Sequence, residues 1–204
     1  MPNQLHFTDS DEANELIATD PMALLIGFAL DQQVTVQQAF LGPLRIRERL
    51  GSLDPERLAA TDLEPVFRQK PAIHRFPAKM AQRVEALAAH VRDEYGDDAA
   101  RVWSEAPDSA TLRSNIAALP GFGEMKVKAL GSVLAKRFGV AAAQALAPAY
   151  PTLGDVDSRA ALDSYQAAKR EHKLSLRSSS TRRTPAPLAA SKSQRPSGRR
   201  GTST

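Results

Sequence analysis

The chain has 204 residues, room for one domain with appendages, and 42% of them are hydrophobic and 25% charged, as in ordinary globular proteins. Aromatics make up only 5% and alanine is abundant, a balance that favours helices over a sandwich or barrel. There is no cysteine, which excludes disulfides, thiolate zinc sites, cysteine nucleophiles and cysteine-ligated iron–sulfur clusters.

The opening MPNQLHFTDSDE has no basic segment followed by an apolar stretch, so no secretion signal is visible. Residues 1–8 are expected to be flexible. Asp20-Pro21 resembles a helix cap with a first-turn proline, opening an apolar helix through Leu30. That run is the longest apolar one and falls far short of the roughly 20 residues of a membrane span. The expectation is a soluble, cytoplasmic protein with no membrane partner. Asp54-Pro55-Glu56 and Asp108-Ser109 read as further helix starts. In 78–94, Met80, Val84, Leu87 and Val91 recur at steps of three and four, the spacing of a half-buried helix. Leu112, Ile116 and Leu119 repeat it, as do Val127, Leu130, Leu134 and Phe138. Gly42-Pro43, Lys70-Pro71, Phe76-Pro77 and Gly96-Asp97 are read as breaks between helices. No alternation of period two is long enough for a sheet. The fold class is therefore all-α, a bundle of about eight to ten short helices over residues 9–173.

From Leu174 onward seven arginines and lysines meet no acid. This stretch carries +7 of a chain whose net charge is +4, leaving −3 on residues 1–173. Rich in Ser, Pro, Thr and Arg, residues 174–204 are expected to form a disordered basic tail. It is either a polyanion-binding arm or a solubilising terminus.

Leu119-Pro120-Gly121-Phe122-Gly123 stands between two amphipathic helices spanning 112–138. Two glycines around one apolar residue permit a tight turn, and the next helix leaves free amides that can face a phosphate. A plain helix–helix turn is the other reading. With the lysine- and alanine-rich GEMKVKALGSVLAKRFG behind it, the segment resembles the hairpin of the helix-hairpin-helix (HhH-GPD) DNA glycosylases, the endonuclease-III-like superfamily. Upstream, DPMALLIGFALDQQVTVQQAF resembles that family's early helix ending in a glutamine turn. The resemblance covers about residues 12–140.

It implies a two-lobed helical fold with a central cleft that holds double-stranded DNA, with the protein acting as a nucleoid-associated monomer in base excision repair. Gly121, Phe122 and Gly123 would grip the DNA backbone, with a monovalent cation on the carbonyls of Ala117, Leu119 and Phe122. Lys126 and Lys128 would add positive charge, and Gln33 would fill the gap left by a flipped base. For Lys126 and Lys128 a solvated helix face is an equal reading, and for Gln32 and Gln33 a helix-ending polar pair. The family's amine nucleophile falls on Met125, which cannot form a Schiff base, so lyase chemistry is not expected. The catalytic carboxylate falls on Asp157 in Gly154-Asp155-Val156-Asp157-Ser158-Arg159, with Asp155 the alternative and a helix cap the competing role for Asp157. The spacing from Met125 to Asp157 is longer than the family's, so Val140–Tyr150 must loop out. With no cysteine, the chain falls in the branch without an iron–sulfur cluster, and no other cofactor is implied. Trp103 and Tyr165 could stack on a base, although core packing suits Trp103. The expectation is a monofunctional DNA N-glycosylase, a hydrolase of the N-glycosidic bond. The rival is a non-catalytic DNA-binding protein that keeps the same scaffold.

Overall fold

The computed structural model describes the backbone of residues 2–181 and the side chains of residues 2–171. Among the described residues every regular element is helical. In chain order they are α1 (Asp11–Thr19), α2 (Pro21–Leu30), α3 (Val36–Leu50), α4 (Pro55–Ala60), α5 (Glu64–Arg68) and α6 (Pro77–Tyr95). After them come α7 (Arg101–Ser104), α8 (Ser109–Ala118), α9 (Glu124–Lys136), two 3-10 turns at Ala141–Leu146 and Leu153–Asp155, and α10 (Arg159–Thr181).

The caps are those the sequence suggests. Asp20 accepts hydrogen bonds from the Met22 and Ala23 amides at 2.8 and 3.1 Å, and Pro21 fills a position whose N–H would have had no partner. α2 is buried all round from Met22 to Leu30, which makes it the central strut of the fold. α1, α3 and α6 pack on it, and α4 and α5 pack on α6. In α6 the residues Met80, Val84, Leu87 and Val91 are all at most 1% exposed, so the three-and-four spacing marks the core face. The helix stops at Gly96, in the left-handed region at φ 59°. A second set of contacts joins α7, α8, α9 and both 3-10 turns. Among the described residues no single helix is long and apolar enough to cross a membrane.

Four boundaries differ from expectation. Gly42-Pro43 does not break the chain but lies inside α3, both residues buried. A Cβ on Gly42 would stand 2.4 Å from Leu30 Cδ1, so glycine is what lets α3 approach α2. Residues 5–8, in the stretch expected to be flexible, are packed against α1. Leu5 and Phe7 are buried, and the Asn14 side-chain oxygen accepts from the amides of Phe7 and Thr8. Val140–Tyr150 does not simply loop out: Leu146 of its 3-10 turn lies on Gly131 of α9, where a Cβ would meet it at 2.6 Å. Finally, α10 continues to Thr181, past Leu174, where the basic tail was expected to begin. The rest of that tail, residues 182–204, lies outside the described residues. The described residues up to Lys169 form one compact unit, and those from Arg170 belong to a second.

Candidate functional site

The turn between α8 and α9 follows from its five residues. α8 ends at Ala118, and Leu119 is extended and buried. The Phe122 amide donates to the Leu119 carbonyl at 3.0 Å, closing a four-residue turn. Pro120 takes the second place and Gly121, at φ 83°, the third, which is the arrangement of a type II turn and demands glycine there. Phe122, 5% exposed, anchors the turn in the core. Gly123 precedes α9 without a side chain that could cap it, and nothing lies within 4 Å of where its Cβ would be. The first amides of α9 therefore face an open, glycine-lined surface, the arrangement that accepts an anion. Glu124, in the same first turn, is held by Arg113 at 2.5 Å. The Leu119 carbonyl already serves the Phe122 amide, so a cation held with the carbonyls of Ala117 and Phe122 would have to share it.

Arg83 of α6 joins this turn to the glutamine turn after α2. A Cβ on Gly121 would come within 2.7 Å of the Arg83 Nε, so the guanidinium lies directly on the turn. From there Arg83 Nη1 donates to the Gln32 Oε1 at 2.6 Å. The Gln32 carbonyl in turn accepts from His74 Nε2 at 3.1 Å, while His74 Nδ1 accepts from the Phe76 amide at 3.1 Å. Those two bonds require the neutral imidazole with its proton on Nε2. Burial lowers the His74 pKa, with nearby Arg75 and Arg83 adding to the effect against the backbone carbonyls of Gln32 and Leu30. The glutamine pair is thus divided. Gln32 is locked in place, whereas Gln33 is exposed on a left-handed backbone at φ 57°.

Of the two lysines expected to add charge here, Lys126 departs from a plain solvated face. Lys126 turns inward, its Nζ donating to the Ala29 carbonyl at 3.1 Å and standing 5.2 Å from the Phe122 ring centre. The ammonium thus sits at the carbonyl end of α2, where the helix dipole favours a cation. Burial, then Arg83, lowers its pKa from 10.5 to about 8, against the pull of Asp31. Lys128 is half-buried, and Met125 is 74% exposed. Trp103 is in the core at 4% exposure, while Tyr165 of α10 is half-buried with its phenol pushed up to about 12 by burial and by Asp31.

The two aspartates in the expected catalytic segment fare unequally. Asp155 completes a capping box with Thr152, its Oδ2 accepting from the Thr152 amide at 2.8 Å, and its Oδ1 meets Lys136 Nζ at 2.6 Å. Partial burial would raise its pKa, but the bonds from Lys136 and Thr152 outweigh that and hold the carboxylate below its ordinary range. Asp157 is exposed, and it does not cap α10: Ser158 does, accepting from the Ala161 amide at 3.2 Å. Sequence reasoning missed Arg83 and Asp31. Arg83 occupies an unremarkable polar position of an amphipathic helix, but Asp31 had a signal, an acid placed directly after the last residue of an apolar helix. Compared with protein families, curated proteins and solved structures, the chain gives no match.

Proposed function

We propose that the protein binds duplex DNA through the 119–124 turn and removes a damaged base as a monofunctional N-glycosylase of the helix-hairpin-helix kind. The observation that carries this reading is the type II turn itself. It exposes Gly121 and Gly123 beside uncapped helix amides, and Arg83 fastens it to the glutamine turn at Gln32 and Gln33. A phosphate would lie against the glycines, and Gln33 would enter the duplex where a base has turned out. The division of the strongest packing into α1–α6 and α7–α9 supports a two-lobed body with the cleft where Arg83 and Lys126 cross. Met125 in place of an amine supports hydrolysis without strand cleavage. Hydrolysis needs a carboxylate for water or for the sugar cation, and the resemblance gives that role to Asp157, at a longer spacing from Met125 than the family's. The binding-only alternative draws on Asp155 being engaged in its cap and Asp157 standing exposed to solvent.

The test is base release from duplexes carrying uracil or a deaminated, alkylated or oxidised base, with alkali then cutting any abasic site. Cleavage only after alkali is the expected result. Duplex binding without release would move the binding-only reading to first place. An affinity that does not fall as salt rises would overturn both, because phosphate contacts release counterions.

A further inference from the structure

Three arginines stand at alternate positions of α3, and they differ in what they hold. Arg47 is paired with Glu12 at 2.9 Å, and Arg49 donates to the carbonyls of Val66, Gln69 and Pro71 at 2.7 to 3.0 Å. Among the described residues the half-buried Arg45 guanidinium has no hydrogen bond and no ion pair. It lines a cleft of about 490 Å³ between the segment before α1, the start of α3 and the loop at Pro71, with Ser10, Thr35 and Gln38 on the walls. The Ser10 and Thr35 hydroxyl oxygens accept from the amides of Ala13 and Gln38, so each keeps its own hydrogen for another acceptor. Asp9, the acid in the wall, is paired with Arg159 and leaves the charge of Arg45 unbalanced. A cation held partly out of water without a counter-ion is unfavourable. A guanidinium beside free hydroxyl hydrogens is a donor set that phosphate oxygens satisfy.

The chain around the cleft is basic as well. Between Glu64 and Glu85 there are five arginines and lysines and no acid. Of these, Lys70, Arg75 and Lys79 are exposed and, among the described residues, carry no ion pair. This stretch forms the cleft wall at Pro71, passes His74 on the Gln32 carbonyl, and ends at Arg83 on the glycine turn. Thr35 of the cleft stands two residues after the exposed Gln33, and Gln32, just before it, is bonded to Arg83. Resting on the DNA-binding part of the function proposed above, we propose that the Arg45 cleft holds a second backbone phosphate of the bound duplex. The duplex is then gripped at the glycine turn and at Arg45, with Gln33 between them. The same donors would also take a free phosphate, and the experiment separates the two sources.

The experiment titrates the full chain onto a duplex carrying a tetrahydrofuran abasic analogue, and onto the same duplex undamaged, over a series of salt concentrations. Wild type is compared with Arg45→Gln, Arg45→Ala and Arg57→Gln, the last an exposed arginine of α4 outside the cleft. Both Arg45 variants are expected to lose about tenfold in affinity for either duplex. They should also lower the slope of log affinity against log salt by about one, while Arg57→Gln keeps the wild-type slope. Two substitutions of different size guard against one variant failing to fold. An Arg45 variant with the wild-type slope, or an equal drop in Arg57→Gln, overturns the proposal and leaves the DNA reading standing. Unaltered duplex binding with a calorimetric loss of inorganic phosphate binding in the Arg45 variants also overturns it, and gives the cleft to a free anion. A wild type whose duplex affinity does not fall as salt rises overturns the DNA reading itself, and Arg45 loses its role with it.

Discussion

The turn at 119–124 and the segment at 152–158 both carry a glycine beside the residues that matter, yet the two glycines answer to different constraints. Gly123 faces open space, with nothing within 4 Å of its absent Cβ. Gly154 is buried against α9, where a Cβ would stand 2.5 Å from both the Ser132 carbonyl oxygen and its Oγ. In the first region the missing side chain leaves room for something outside the protein. In the second it leaves room for the protein's own backbone. The neighbouring polar groups follow suit: the amides at the start of α9 lack a side-chain cap, whereas Thr152, Ser132, Asp155 and Lys136 bind one another. A glycine near acidic or basic residues thus becomes informative about ligands only once its missing Cβ is tested against its surroundings.

Substitution can break that comparison, and the largest effect should come from Gly154→Ala. A methyl forced onto backbone cannot be relieved by a side-chain rotation, so a loss of about 3 kcal/mol in chemical denaturation is expected. A loss below about 1 kcal/mol would show that the 3-10 turn shifts freely on α9. Gly123→Ala should do the reverse. Its φ of −98° suits alanine, so stability should stay within about 1 kcal/mol, and on the DNA-binding reading duplex affinity should fall about tenfold, as read by anisotropy titration. Unchanged affinity would remove the turn from the proposed DNA surface.

A smaller effect follows from His74, which links the glutamine turn to the start of α6. Its folded pKa is depressed below 6.5, so the unfolded chain binds more protons as pH falls below that value. Stability contributed by the neutral ring is complete above pH 6.5 and is lost as pH drops toward the lower folded pKa. His74→Gln should flatten this part of the pH–stability curve, and an unaltered curve would assign the acid loss elsewhere. The smallest effect belongs to Asp157→Asn, an exposed residue, for which a change within about 0.5 kcal/mol is expected in the same denaturation assay.

Much of the fold was legible because it depends on local chemistry. Asp20-Pro21, Asp54-Pro55 and Asp108-Ser109 cap helices as their sequences suggest, and the spacing in 80–91 identifies the buried face of α6. Gly42-Pro43 misled because a glycine chosen for close helix approach has the same letters as a glycine chosen for a turn. The start of the chain misled for a related reason: Leu5 and Phe7 are too few to show a period, and their burial depends on Asn14 of a neighbouring helix. In the candidate site the turn at 119–123 was visible from its glycines and proline. The links among Arg83, Gln32, Lys126 and Ala29 were not, because they join residues 51 and 97 positions apart and no local pattern encodes such pairings.

Lys126 gives the joint between α2 and α9 a chemical dependence beyond packing. With a pKa of about 8, a sizeable share of the molecules lack its proton in mildly alkaline solution. On the DNA-binding reading, a polyanion laid across the start of α9 raises that proton affinity and draws protons from the medium as the complex forms. The heat of association measured calorimetrically would then differ between buffers of low and high ionisation enthalpy, and affinity would fade as pH climbs through 8. The amine that fastens one helix end to another would in this way make complex formation a proton-consuming event.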